Sequence, residues 1–223
     1  MLLARALAGF VFLFAVLAIV LFGAAGTLHD GRAWATLAVF FGCAGAITVW
    51  LWFHDQALLA RRVKAGPGSE SDRLQNVVQG LAGLIFLAIF AVPGFDKRFG
   101  WSHAPFAVSL AGAAMIAVGF GIVFLTFRAN TFTSGTIEIA EGQQVVSSGP
   151  YAIVRHPMYA GALVMVAGIP LALGSWPGLI PAALLVPVLV WRLTREEAFL
   201  ATHLAGYSAY RDRVSYRLLP MLW

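Results

Sequence analysis

The sequence predicts an all-α membrane protein, a polytopic bundle of about six spans whose last two form a short helical hairpin. Three observations predict it. Of the 223 residues, 60% are hydrophobic and 11% charged, and the mean hydropathy is +0.82; a soluble domain is about 45–50% apolar and 25% charged. The apolar residues gather in uncharged runs able to cross a ~30 Å hydrocarbon core. Threaded as six spans, the chain puts nearly all its cations on one side.

The first run is 6–28. Arg5 precedes it and Ala24-Ala25-Gly26 closes it, which has the outline of a signal peptide. Its apolar core exceeds the roughly 7–15 residues of such a segment, so a retained span is expected. The second run is 33–53, the third 74–95 and the fourth 104–127. The last, 157–191, is too long for one ordinary span. Its middle, Pro170-Leu171-Ala172-Leu173-Gly174-Ser175-Trp176-Pro177-Gly178, is rich in turn formers. Two short helices, about 157–173 and 177–191, are therefore expected, each near ~25 Å long.

Charge tests the threading. With six spans, the side bearing both termini carries 12 of the Lys and Arg residues and the other side only Arg32, Lys97 and Arg98. Were 157–191 a single span, the five cations after Trp191 would change sides and the split would be 7 against 8. The positive-inside rule selects six spans with both termini cytoplasmic. The same distribution answers the net charge of +5: these cations sit in short loops, and a nucleic-acid partner is not implied.

Six tryptophans (Trp34, Trp50, Trp52, Trp101, Trp176 and Trp191) lie near predicted span ends, as in an aromatic belt. Ala113, Ala117 and Gly121 recur every four residues, a pattern that lets another helix approach closely. Cys43 is alone within an apolar run, which excludes an intramolecular disulfide. His29, His54, His103 and His203 are scattered and read as interfacial. Residues 65–72 form a polar connector. The longest loop, 128–154, includes Ile137-Glu138-Ile139 and suggests a short extended piece or lid. Two units follow: 1–127, four spans forming scaffold and substrate side, and 128–223, a core with the hairpin, a cofactor pocket and a C-terminal cap.

Two polar clusters flank the hairpin. Pro157 suits the first turn of a helix and pushes His156 out of helical geometry. The free N–H groups of that turn make an anion site, which Arg155 and His156 would reinforce; the alternative is that both only anchor the span among headgroups. Arg192 and Glu196 share a helix face, and the hairpin returns them, with Glu197, to the same border. An ordinary exposed ion pair is the alternative there. With Tyr151 and Tyr159, this inventory suits a charged cofactor beside a lipophilic substrate. Ser-His-Asp ordering, a Walker-type loop, a Gly-rich dinucleotide turn and metal-ligand spacing are all missing.

The C-terminal part closely resembles the isoprenylcysteine carboxyl methyltransferase family, integral-membrane enzymes related to phospholipid N-methyltransferases. The matching residues are Ser148-Gly149-Pro150-Tyr151, Arg155-His156-Pro157-Met158-Tyr159-Ala160-Gly161, Arg192, Glu196-Glu197, Gly206-Tyr207, Tyr210, Val214, Tyr216-Arg217 and Pro220. They cover 143–220. The resemblance implies S-adenosylmethionine as methyl donor, in a cytosol-facing pocket capped by the C-terminal segment, with a lipophilic or lipidated acceptor arriving from the bilayer. It places Tyr151, Arg155, His156, Pro157, Met158 and Tyr159 around the cofactor, with backbone near Gln143, Val145 and Val146 at the adenine end. Glu196 and Glu197 belong to the cofactor site, and Arg192 faces the substrate as the catalytic residue. Gln143-Gln144 departs from a histidine-containing pair in the eukaryotic enzymes. The competing reading is an NADPH-dependent membrane sterol or steroid reductase, which shares an Arg-His motif and the pattern of Tyr216-Arg217-Leu218-Leu219-Pro220. A transporter would need polar residues at mid-membrane depth, and the spans are nearly free of them.

Overall fold

The structure is a computed structural model and describes residues 1–64, 73–134, 136–137 and 139–223. The polar connector 65–72 and Glu138 of the expected extended piece lie outside the described residues. Among the described residues there are eight α-helices and no strand: α1 (Leu2–Ala25), α2 (Gly31–His54), α3 (Gln56–Lys64), α4 (Arg73–Phe99), α5 (Phe106–Ala129), α6 (Pro157–Ala172), α7 (Leu179–His203) and α8 (Tyr207–Arg213). A 3-10 turn at Gly149–Ala152 precedes α6.

Local chemistry explains the boundaries. Gly26, at φ 69°, ends α1 in the left-handed conformation that glycine tolerates best. Asp30 caps α2, its Oδ1 accepting from the backbone N–H of Arg32 and Ala33. Asp55 does the same for α3, accepting from Leu58 N–H at 2.8 Å. Inside the apolar helices, Thr36, Thr48 and Thr126 donate their hydroxyls to the carbonyl four residues back, so these three hydroxyls are satisfied within their own helices.

By length and composition α1, α2, α4 and α5 can each cross a membrane, and α6 is a shorter apolar helix. The hairpin is present, but its second arm differs from expectation. Rather than ending at Trp191, α7 continues to His203, about 37 Å in all. Residues 192–203 contain no Gly or Pro and include good helix formers such as Arg, Leu, Glu and Ala, so the helix persists where the hydrophobicity stops. The turn falls where expected: α6 runs through Pro170 to Ala172 and α7 starts at Leu179, within two residues of the expected bounds at 173 and 177.

The helices pack as a ring, α1–α2–α5–α6–α7–α4, and α6 also touches α2 and α4. The core is built from Leu17, Leu21, Phe40, Phe90, Ile116 and Ile169, all buried. A second cluster (Ala6, Leu51, Leu58, Leu59 and Phe127, with Met158 against it) gathers the start of α1, the ends of α2 and α5, α3 and the start of α6. Both termini therefore lie at one end of the bundle.

The closest helix pair is α5 and α6. A Cβ on Gly119 would lie 2.6 Å from the Gly161 carbonyl oxygen, and one on Gly112 would lie 2.7 Å from that of Gly168. This corrects the expected stripe: Ala117 and Gly121 are exposed, and nothing lies within 4 Å of a Cβ at Gly121. A seven-residue spacing drifts only about 20° around a helix. The Gly112–Gly119 pair therefore stays on one face, whereas a four-residue repeat winds away from it. The contact holds the start of α6 against the end of α5, where the site lies.

Candidate active site

At the end of the bundle bearing both termini lies a cavity of about 330 Å³. It collects residues from α3, α4, the loop after α5, the 3-10 turn with the start of α6, α7 and α8. The loop after α5 contributes Gln143, Val145 and Val146, and the 3-10 turn contributes Tyr151. Arg155, His156, Pro157, Met158 and Tyr159 line it from the start of α6, and Arg192 and Glu196 from α7. Every site residue expected from sequence is thus on its wall except Glu197.

Glu197 stands behind that wall and organises it. Its Oε1 accepts from Arg155 Nε at 2.7 Å and lies 3.1 Å from His156 Nε2, and its Oε2 accepts from Arg217 Nε at 3.0 Å. The carboxylate is 5% exposed. Burial raises its pKa, but hydrogen bonds from His156 and Arg217, with the positive fields of His156 and Arg155, outweigh it and hold the pKa at about 2. Arg155 also donates to the carbonyls of Val214 and Arg211. The charges expected to reinforce an anion site at α6 are therefore directed onto Glu197. Two backbone bonds complete the frame: Arg155 N–H to Tyr216 O and His156 N–H to Arg217 O, both 2.9 Å. The C-terminal segment is laced to the start of α6.

The wall itself is polar at selected points. Tyr159 donates its hydroxyl to Glu196 Oε2 at 2.8 Å, a bond across α6 and α7. Arg192 donates to Gln75 Oε1 of α4 at 3.5 Å. The Tyr151 hydroxyl accepts from Asn130 Nδ2 at 3.2 Å, and the Tyr151 carbonyl accepts from the Tyr210 hydroxyl at 2.8 Å. Burial raises the pKa of Tyr151 and pushes that of Tyr210 to about 12. Gln143 turns its side chain inward, Oε1 accepting from Ala140 N–H at 2.9 Å.

Several lining residues were not singled out as site residues from sequence: Arg62 of α3, Asn130, and Tyr207 and Tyr210 of α8. The Tyr207 hydroxyl is buried and has no hydrogen-bond partner among the described residues. Burial first, then the carboxylates of Glu197 and Glu196, raise its pKa, so it stays a neutral donor. One signal for α3 was legible: Asp55 caps it, Leu58 and Leu59 are buried, and Arg61, Arg62 and Lys64 close it. No periodic signal pointed to Asn130.

The shape suits a zwitterionic, partly cationic small molecule. Glu196 offers a carboxylate for a positive centre, the first-turn N–H groups of α6 offer donors for a carboxylate, and Tyr207 offers a buried hydroxyl awaiting a partner. Aromatic faces at Tyr151 and Tyr159 complete the set.

No curated protein matches the chain. Residues 108–206 match the model of the family described as phospholipid methyltransferase. The match takes in α5, the loop, the hairpin and the Glu196-Glu197 pair, and stops short of α8. Over this stretch, less than half of its length, the chain is similar to the phospholipid methyltransferase family.

Proposed function

We propose that this protein is an S-adenosylmethionine-dependent methyltransferase that modifies a lipophilic acceptor. The observation that carries this reading is the convergence of Glu196, Tyr159, Tyr151, the α6 start and Tyr207 on one cavity whose core lies in the matched region. When bound, S-adenosylmethionine supplies an electrophilic methyl group on a sulfonium. Glu196, oriented by Tyr159, holds the positive centre, helped by the aromatic surfaces. The first turn of α6 and Tyr207 hold the carboxylate end, and the loop at Gln143, Val145 and Val146 borders the adenine. Glu197 acts through others: it fixes Arg155, His156 and Arg217, and so keeps the start of α6 joined to the C-terminal cap.

Arg192 orients an anionic acceptor, and its role is alignment of nucleophile and methyl group. Val78, Ala82, Val188 and Leu189 give the cavity an apolar side, which suits an acceptor arriving from the bilayer and excludes water from the transfer. The charge distribution supports placing both termini and the cavity on the cytoplasmic side.

Calorimetric titration of the detergent-purified chain with S-adenosylhomocysteine tests this, with reduced nicotinamide cofactor as comparison. Binding of the first, weakened about tenfold or more in Glu196→Ala by loss of a charged contact, is the expected result. Binding of the nicotinamide cofactor alone would replace this reading with a reductase.

A further inference from the structure

After α8 the chain returns to the hairpin. Leu218 is buried in one cluster with Tyr159 and Leu193, and Leu163 of α6 and Leu189 of α7 pack against that cluster. Leu163 and Leu189 belong to the uncharged run 157–191, so the segment meets the hairpin inside its apolar stretch. Val186 shares the α7 face of Leu189 and Leu193 and is exposed. The same face thus runs on from the Leu218 contact onto the lipid-facing flank of α7.

From Arg217 to Trp223 the backbone closes on itself. The backbone oxygen of Trp223 accepts from the N–H groups of Arg217, Leu218 and Leu219 at 2.9, 3.0 and 3.2 Å. The Leu219 carbonyl accepts from the N–H groups of Leu222 and Trp223, both at 3.2 Å. Five N–H groups are spent within this knot, and Pro220 has none. A backbone that satisfies its own donors can approach hydrocarbon at little cost. The side chains point outward: Leu219, Met221 and Leu222 are 51%, 85% and 80% exposed. Met221 sits at φ 67°, left-handed backbone that a residue with a Cβ rarely adopts. Strain of that kind gathers at working sites, and here it falls on the most exposed of the three. Tyr216 precedes the knot and Trp223 closes it, with the Arg217 guanidinium 5.0 Å from the centre of the Trp223 ring. Aromatic and cationic side chains of this kind mark membrane borders.

We infer that residues 216–223 form a knob that docks on the leaflet of the bilayer holding the hairpin. Leu219, Met221 and Leu222 enter the boundary between headgroups and acyl chains, where interfacial segments bury their apolar face about 5–10 Å deep. Tyr216, Arg217 and Trp223 stay at headgroup level. The carbonyls of Tyr216 and Arg217 accept the backbone N–H groups of Arg155 and His156. The knob therefore ties the start of α6, and the cavity wall with it, to the lipid surface. Docking needs only the fold and does not rest on the methyltransferase reading.

The test places a bimane label at Met221→Cys in the full chain, with Cys43→Ala to remove the lone native thiol, in phosphatidylcholine nanodiscs. A label at Asp212→Cys, exposed on α8, is the aqueous reference. The label at 221 is expected to emit at shorter wavelength and to be quenched several-fold less by iodide than the reference. It should lose most of its emission when the phosphatidylcholine is brominated in the upper part of its acyl chains. Iodide quenching equal to the reference, with no effect of brominated lipid, would overturn the docking. So would shielding from both quenchers, which would mean that protein, a second copy of the chain, covers the knob. Leu222→Cys repeats the measurement and decides it alone if Met221→Cys, at its left-handed position, does not fold. Either result leaves the reading of the cavity as a methyltransferase site unchanged.

Discussion

Replacing Glu197 by glutamine keeps the size of the side chain and removes the charge that Arg155, His156 and Arg217 share. The cost can be reached in two ways. A carboxyl held at about pKa 2 against an ordinary 4.5 favours its ionised folded form by roughly 3 kcal/mol. Breaking a buried ion pair by removing one partner costs about 3–5 kcal/mol. Arg217 is 34% exposed on its side chain, so water screens its share, whereas Arg155 is 6% exposed and bears the larger part. The two routes agree on about 3 kcal/mol. For a chain of this size that lowers the unfolding midpoint by roughly 6–12 °C. Thermal unfolding of the detergent-solubilised protein, followed by tryptophan fluorescence, measures it. The sign with pH is fixed by the depressed carboxyl: its stabilisation is complete above pH 4.5 and is lost as pH falls from 4.5 towards 2. The gap between the parent chain and Glu197→Gln should therefore close across that window. A loss below about 1 kcal/mol at pH 7, or a gap that stays constant down to pH 2, would refute the assignment of Glu197 as the buried anchor.

Gly119→Ala forces a Cβ against the Gly161 carbonyl at 2.6 Å and should destabilise by about 1–3 kcal/mol; Gly121→Ala, with nothing within 4 Å, should cost little and serves as the paired control in the same thermal assay. Arg192→Ala should lower turnover more than S-adenosylhomocysteine affinity, a separation read from steady-state rates against calorimetry. Tyr210→Phe removes the bond to the Tyr151 carbonyl and should cost about 1 kcal/mol of stability. It should also weaken cofactor binding if Tyr151 shifts, which calorimetry on the variant reports.

The long helices were legible because uncharged runs are local signals. The caps at Gly26 and Asp30, which the reading by hydrophobicity passed over, set the boundaries that the runs 6–28 and 33–53 left two to three residues off. The end of α7 was misread because hydrophobicity stops at Trp191 while helix propensity does not. The close face of α5 was misread for a related reason: small residues are plentiful there, and only the partner helix reveals that Gly112 and Gly119 matter. At the site, motif residues were visible as a set, yet their directions were not. Adjacent carboxylates face different ways, Glu196 to the cavity and Glu197 to the cations behind it. Arg62 escaped notice because its contribution depends on α3 folding against Phe127 and Met158, which no sequence spacing encodes.

The lacing of Arg155 to the C-terminal segment bears on how the protein is made. Arg155 donates to the carbonyl of Val214, 59 residues further along, and its carboxylate partner Glu197 arrives 42 residues later. During synthesis α6 must insert while its two leading polar residues still face headgroups and water. Only after the second arm of the hairpin has returned and α8 has followed can they withdraw from solvent. Cavity assembly is thus a late event, gated by the return of the chain rather than by insertion of α6. A ribosome paused within α7 would leave a membrane-anchored intermediate with a complete first half and no binding site.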